Sequence, residues 1–134
     1  MKTLTVQTSI AKEVVDITDA INAFLKSAPA KRDLCHIFSP HTTAALTTVH
    51  IDPERDFELM GAFEIALPHT AKRTGERGHT HIMSRIPNHI VVSFIGSSLA
   101  IPVKNKKLAL GDFQRVVLVE FNGPAERTVD ILLS

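Results

Sequence analysis

The chain has 134 residues, of which 44% are hydrophobic and 22% charged, a size and balance that fit one folded domain and exclude a disordered segment. Fifteen Lys and Arg stand against 14 Asp and Glu, and a net charge of +1 excludes a general electrostatic pull toward nucleic acid or an anionic membrane. No stretch approaches the roughly 18 apolar residues that a membrane-spanning helix needs, and the single cysteine, Cys35, cannot form an internal disulfide.

Leu4, Val6 and Thr8 alternate with Thr5 and Gln7, the pattern of a strand with one buried face. The same alternation from Met1 to Val6 lacks the apolar run of a signal peptide, so a cytoplasmic location is expected. From about Ala11 to Lys26, Val14, Ile17, Ile21, Phe24 and Leu25 recur at three- and four-residue steps, which predicts an amphipathic helix that Pro29 ends. Strands follow over Asp33–Ser39 and Thr42–His50, with Cys35 inside the first as a core thiol of a reducing compartment. His36, in that same apolar run, is expected to be a hydrogen-bonded core or interface residue. Asp52-Pro53-Glu54 is a strong helix start, because Asp caps, Pro fits the first turn and Glu suits the positive end of the dipole. Phe57, Met60, Phe63 and Leu67 carry that predicted helix to Pro68.

His69 to Asn88 shows no sustained periodicity, and a loop of this length in a small domain is commonly functional. Beyond it, strands are predicted over Leu99–Val103 and Lys107–Leu110 around a turn at Asn105, over Phe113–Phe121, and over Arg127–Leu133 after the turn Asn122-Gly123-Pro124. Lys104, Lys106 and Lys107 give the Asn105 turn a basic character. Strands outnumber helices and the helices cluster in the first half. The expected class is α+β: a compact β-sandwich of mostly antiparallel strands with two main helices at the side, one domain over residues 1–134.

Four histidines crowd the 21 residues from His69 to His89, and His41 opens the run His-Thr-Thr-Ala-Ala-Leu. Neutral imidazole is a common zinc ligand, and three imidazoles with an open fourth position is the pattern of a catalytic zinc. His79 and His81 lie two apart, so an extended segment points both the same way. His81 and His89 are eight apart across Ser84 and Pro87, and His41 would join them from a neighbouring strand. The candidate metal ligands are therefore His41, His79, His81 and His89. Surface or packing roles are the plainer alternative for each.

By the two-residue period, Gln114, Val116, Leu118 and Glu120 share one face of a strand whose other face carries Phe113, Val117, Val119 and Phe121. A charge at Glu120 needs a partner in such surroundings. It is either an ion pair with Arg115 or Arg127, or a general base or a carboxylate that orients an imidazole. Ser97 and Ser98, with Gly96 before them and Thr42 and Thr43 as further donors, could hold an anionic group.

These residues carry a resemblance. Ser39-Pro40-His41-Thr42-Thr43-Ala44-Ala45-Leu46-Thr47, then His89-Ile90-Val91-Val92-Ser93-Phe94-Ile95-Gly96-Ser97-Ser98, then Leu110-Gly111-Asp112-Phe113-Gln114, then Glu120-Phe121-Asn122-Gly123-Pro124 are similar, in order and nearly end to end, to the signature blocks of the YjbQ family. That family is labelled secondary thiamine-phosphate synthase. The resemblance implies a trimeric α+β sandwich with zinc at a histidine cluster, formed here by His41, His81 and His89. It matches Gln114 and Glu120 to polar positions of the last two blocks, and these are the expected catalytic residues, while Ser97, Ser98 and Thr42 are expected at the bound ligand as donors to an anionic group. Departures from the family pattern are Thr48-Val49-His50 in place of Asn-Glu-Asn, Val91 in place of a lysine and Phe113 in place of Trp.

The expected function is thus a metal-dependent small-molecule enzyme with a divalent metal, zinc by the resemblance, and the resemblance implies that it condenses a pyrimidine diphosphate with a thiazole phosphate. The alternatives are a metal-assisted hydrolase of a small phosphorylated or acyl compound, and a non-catalytic homotrimer. Its partners would be a small, phosphorylated ligand and copies of itself, with neither nucleic acid nor membrane.

Overall fold

The structure is a computed structural model, and it describes residues 1–29, 31–51, 71–74, 80–83 and 86–134. Strands β1 (Lys2–Gln7) and β2 (Glu13–Asp16) precede helix α1 (Thr18–Ser27), and β3 (Leu34–Phe38) and β4 (Ala44–His50) follow it. A hairpin of β5 (Ala71–Thr74) and β6 (Thr80–Met83) leads toward α2 (Asn88–Ile95). Then come β7 (Ser98–Lys104), β8 (Lys107–Leu108), β9 (Gln114–Glu120) and β10 (Glu126–Leu133). The predicted helix from Asp52, together with His69 and His79, lies outside the described residues.

Two antiparallel sheets form the body, one ordered β1-β10-β3-β7-β8 and the other β2-β9-β4. The three-stranded sheet is the middle layer. Val116 and Leu118 of β9 join Ile37, Cys35, Val129 and Ile131 of the large sheet and Ile21 and Leu25 of α1 in one apolar core. The alternate residues Val117 and Val119 face the other way and pack with Ala45, Phe121 and Val91 and Val92 of α2. The period-two alternation on β9 is therefore real, but both of its faces are covered, and every residue from Val116 to Glu120 is buried. Each such apolar side chain removed from water contributes roughly 1.5–3 kcal/mol.

The α+β sandwich expected from the pattern is the one observed, with two differences in its elements. Glu13–Asp16 is a strand, paired from Glu13↔Glu120 to Asp16↔Val117, so the helix begins only at Thr18. The β-branched pair Val14-Val15 favours the ladder. The Asp16 carboxylate accepts from the Thr18 N–H at 3.0 Å and turns the chain into the helix. Second, residues 88–95 are helical although no helical stripe marks them, because Ile90, Val91, Val92, Phe94 and Ile95 leave almost no polar face to set a period. Gly96 ends that helix at φ 119°, a conformation that favours glycine, and its carbonyl accepts from the Leu46 N–H at 3.0 Å.

Cys35 sits in the core as expected, with burial pushing its thiol pKa up to about 11. His36 is hydrogen-bonded as expected, with Nε2 3.2 Å from Ser134 Oγ, but it lies outside the core, exposed on the outer face of the large sheet. The strict alternation of β3 buries Cys35 and Ile37 and turns His36 and Phe38 outward.

Candidate functional site

Glu120 is the last residue of β9 and is fully buried. Its carboxylate is met by Arg127 near the start of β10: Nε lies 3.0 Å from both carboxylate oxygens and Nη2 lies 2.6 Å from Oε2. Thr8, just past β1, donates its hydroxyl to Oε1 at 2.7 Å and accepts from the Ala125 N–H at 2.9 Å. Burial pushes the Glu120 carboxyl upward, but Arg127 and Thr8 outweigh it and hold the group below the ordinary carboxylate value. Of the two readings of this residue, the geometry is that of the ion pair, and the partner is Arg127. Arg115 instead pairs with Asp16 at 2.7 Å and Asp19 at 3.1 Å.

The pair extends toward the β3–β4 connection. Arg127 Nη2 also donates to Thr43 Oγ1 at 2.8 Å. Two residues before Thr43, His41 is half-buried, and its Nε2 accepts from the Thr128 N–H at 2.9 Å. An acceptor at Nε2 leaves the proton on Nδ1, so the imidazole is neutral and its tautomer is set. Burial first, then the positive Arg127, holds the His41 pKa below its ordinary value, against an opposing pull from Glu120. Thr8, Thr43, Glu120, Arg127, Thr128 and His41 thus form one polar cluster where β9, β10 and the β3–β4 connection meet. The sequence pattern gave no signal for Thr8 or Thr128, because a threonine in a strand is ordinarily just a β-former.

The remaining candidates are spread more widely. Thr42, beside His41, is exposed. Ser97 and Ser98 stand close to the same connection, since the Ser39 N–H donates to the Ser97 carbonyl at 2.8 Å and Ser98 pairs with Phe38. They follow the C-terminal end of α2, where the helix dipole opposes an anion, so hydroxyls alone would have to hold one there. Gln114 is at the opposite end of β9 from Glu120, about 20 Å away at the rise of an extended strand. Its amide is occupied locally, donating to Thr48 Oγ1 at 3.1 Å and accepting from the Gly111 N–H at 3.1 Å. Close by, His50 stacks on Phe113 with ring centres 5.1 Å apart. His89 is exposed in the first turn of α2, and His81 lies in β6 opposite Arg73.

Does a metal fit these residues? Among the described residues no group of three His, Cys, Asp or Glu side chains is arranged to hold an ion. His41 has a single unprotonated nitrogen, and the Thr128 N–H already occupies it. Ligation through that atom requires giving up the hydrogen bond. Among the described residues no helix is long and apolar enough to cross a membrane.

The fold and cluster define a class: an α+β sandwich with an ion pair buried at the end of its middle sheet and a neutral histidine beside it. Residues 2–133 match the UPF0047 protein YjbQ-like family, and the chain belongs to that family. It is 31% identical over 131 residues to the UPF0047 protein YugU of Bacillus subtilis, covering 96% of this chain and 94% of the relative. It is 32% identical over 130 residues to a UPF0047 protein of Archaeoglobus fulgidus, with 94% of each covered. Among solved structures, a YjbQ/UPF0047 family protein of Clostridium acetobutylicum superposes with a TM-score of 0.79 at 27% identity, all of both chains covered. A conserved hypothetical protein of Thermus thermophilus gives the same TM-score, identity and coverage.

Proposed function

We propose that the chain is a small-molecule enzyme acting on a phosphorylated substrate at the His41 end of the sandwich. The observation that supports this reading is the state of His41. A neutral imidazole in a fixed tautomer retains one N–H, at Nδ1, that makes no hydrogen bond to a described residue. Such a donor suits a phosphate oxygen, with the exposed Thr42 hydroxyl beside it and the Arg127 guanidinium adding positive potential from below. Glu120 and Thr43 act as positioning residues, because they hold Arg127 in place.

The resemblance supplies the reaction: condensation of a pyrimidine diphosphate with a thiazole phosphate to give thiamine phosphate, with displacement of pyrophosphate. It also implies a divalent metal, zinc by preference, at His41, His81 and His89; for His41 that role is an alternative to the phosphate contact, since a metal there would displace either the Thr128 N–H at Nε2 or the proton at Nδ1. The test is product formation from the two substrates, with metal content measured on protein carrying no His-tag. Wild type should turn over, and His41→Ala should lose about 100-fold or more in kcat/KM, as should His41→Gln, which keeps an acceptor for the Thr128 N–H and with it the thermal midpoint. Turnover that is unchanged in His41→Ala, or absent in wild type, defeats the reading. Metal content unchanged in both His41→Ala and His89→Ala removes the ligand set.

Self-association, with three copies by the resemblance, is supported by a separate observation. Phe38 and Leu132 are neighbours on the outer face of the large sheet and are 45% and 46% exposed. Large apolar side chains on an uncovered sheet face favour burial against another copy. Light scattering of wild type and of Phe38→Ser/Leu132→Ser checks this: a trimer should become a monomer.

A further inference from the structure

We propose that the chain carries a second binding site, for a small amphipathic anion, at the far end of the large sheet from His41. A cavity of about 440 Å³ lies there between the α1–β3 connection and the β7–β8 hairpin. That is within the range of small-molecule pockets, roughly 300–1,000 Å³. The two walls are tied together by the Val103 N–H donating to the Asp33 carbonyl at 2.9 Å, and β8 is tied to α1 by the Leu108 N–H donating to Asn22 Oδ1 at 2.9 Å. β10 separates the two sites, with Arg127 and Thr128 at one end and Leu133 lining this cavity at the other.

Its chemistry is two-sided. Leu25, Val103 and Leu133 supply an apolar floor, and Lys31, Arg32, Lys104 and Lys106 supply a cationic rim. None of these four cations has an ion-pair partner among the described residues. Opposing them are the Asp33 carboxylate, which also lines the cavity, and the negative end of the α1 dipole. The excess is clearly positive, in a chain whose net charge is only +1.

Lys106 adds an independent argument. It and Asn105 form the two-residue turn between β7 and β8, at φ 58° and 52°. The second position of such a turn normally takes glycine, because a side chain there is strained. A lysine held in this conformation at the mouth of a cavity is strain placed where a charge is useful. The ligand that fits is a carboxylate or phosphate on an apolar body, the head at the rim and the body on the floor.

Octanoate and octyl phosphate are the probes, with octylamine and inorganic phosphate as controls, followed by calorimetry and amide NMR on the full chain. Saturable binding of either anionic probe is expected, with amide shifts centred on residues 103–106 and 133, and none for octylamine. The two probes separate a carboxylate from a phosphate preference. Inorganic phosphate should bind at least tenfold more weakly, since it leaves the floor empty. Lys104→Gln/Lys106→Asn and Lys31→Gln/Arg32→Gln, all at exposed positions, should each weaken binding at least tenfold with the thermal midpoint kept. Asn is chosen at 106 because it tolerates the turn conformation. No saturable binding of either probe, or affinity unchanged in both variants, overturns the proposal. Shifts confined to His41 and its neighbours assign the probes to the other end and overturn it equally.

Discussion

Thr128 holds His41 through its backbone: the N–H reaches Nε2 at 2.9 Å, and the hydroxyl oxygen of the same residue lies 3.2 Å from that atom. Protonating the imidazole would set two donors against each other and break the contact. Burial first, and then the nearby Arg127 charge, make the native state resist a proton that the unfolded chain accepts at the ordinary value of 6.5. Between the lowered native pKa and 6.5 the unfolded state binds more protons, so stability rises with pH across that window. The contribution is complete above 6.5 and is lost as the pH falls below it. Denaturation midpoints measured from pH 5 to 8 should show this slope, and His41→Gln, whose carbonyl can accept the same N–H without titrating, should flatten it.

Glu120 and Arg127 make a coupled prediction. Replacing one partner leaves a buried charge uncompensated, so Glu120→Leu and Arg127→Met should each destabilise by about 3–5 kcal/mol. The double variant Glu120→Leu/Arg127→Met should lose much less than the two losses added together. Chemical denaturation of the three proteins closes the cycle, and additive losses would mean that the pair does not act as a unit. The native Glu120 pKa is lowered, so the pair's contribution is full above the carboxyl's ordinary 4.5 and is lost as pH falls through the native value.

How much of this was legible in the residues follows from which patterns are local. Alternation located β1, and runs of β-branched and apolar residues bounded by turn signals located β3, β4, β7, β9 and β10, while the two-residue period sorted the faces of β9. It also marked Glu120 as a charge needing a partner and named Arg127 as one of two choices. Only the tertiary fold could decide between them: Arg115 lies nearer in sequence, but Asp16 and Asp19 engage it, through contacts about a hundred residues distant along the chain. The β2 strand escaped notice since Val14, Ile17 and Ile21 satisfy a helical spacing as well as a strand edge. α2 escaped for the opposite reason, being apolar on nearly every side. Thr128 was invisible because it acts on His41 through its main chain, which every residue shares.

Gly123 is needed for space. A Cβ there would lie 2.4 Å from the Ile10 carbonyl oxygen, 2.8 Å from Thr8 Oγ1 and 2.9 Å from Glu120 Cγ. All three neighbours are fixed, one by its backbone and two by the ion-pair cluster. Gly123→Ala should destabilise by about 1–3 kcal/mol, the usual effect of overpacking. Gly111→Ala, whose Cβ would make only ordinary contacts 3.8 Å from Gln114, is the control and should be close to neutral. Thermal unfolding of the two variants side by side provides the comparison. Equal midpoints would show that the Thr8–Glu120 corner yields more readily than its hydrogen bonds imply.

Cys35 reports on the seam between the two sheets. It is fully buried, unpaired, and packed in the same core as Ile37, Leu118 and Ile131, with a thiol pKa raised to about 11. At pH 8 only about one thiol in a thousand would be ionised, and the thiolate is the reactive form. A disulfide reagent should therefore find no titratable thiol in the native protein within minutes, and one per chain in denaturant. Slow labelling in native buffer should scale with the opening equilibrium, so Gly123→Ala should label faster than Gly111→Ala by the factor that their stabilities differ. Rapid labelling of the native protein would place Cys35 outside the core and undo the packing of β3 against β9.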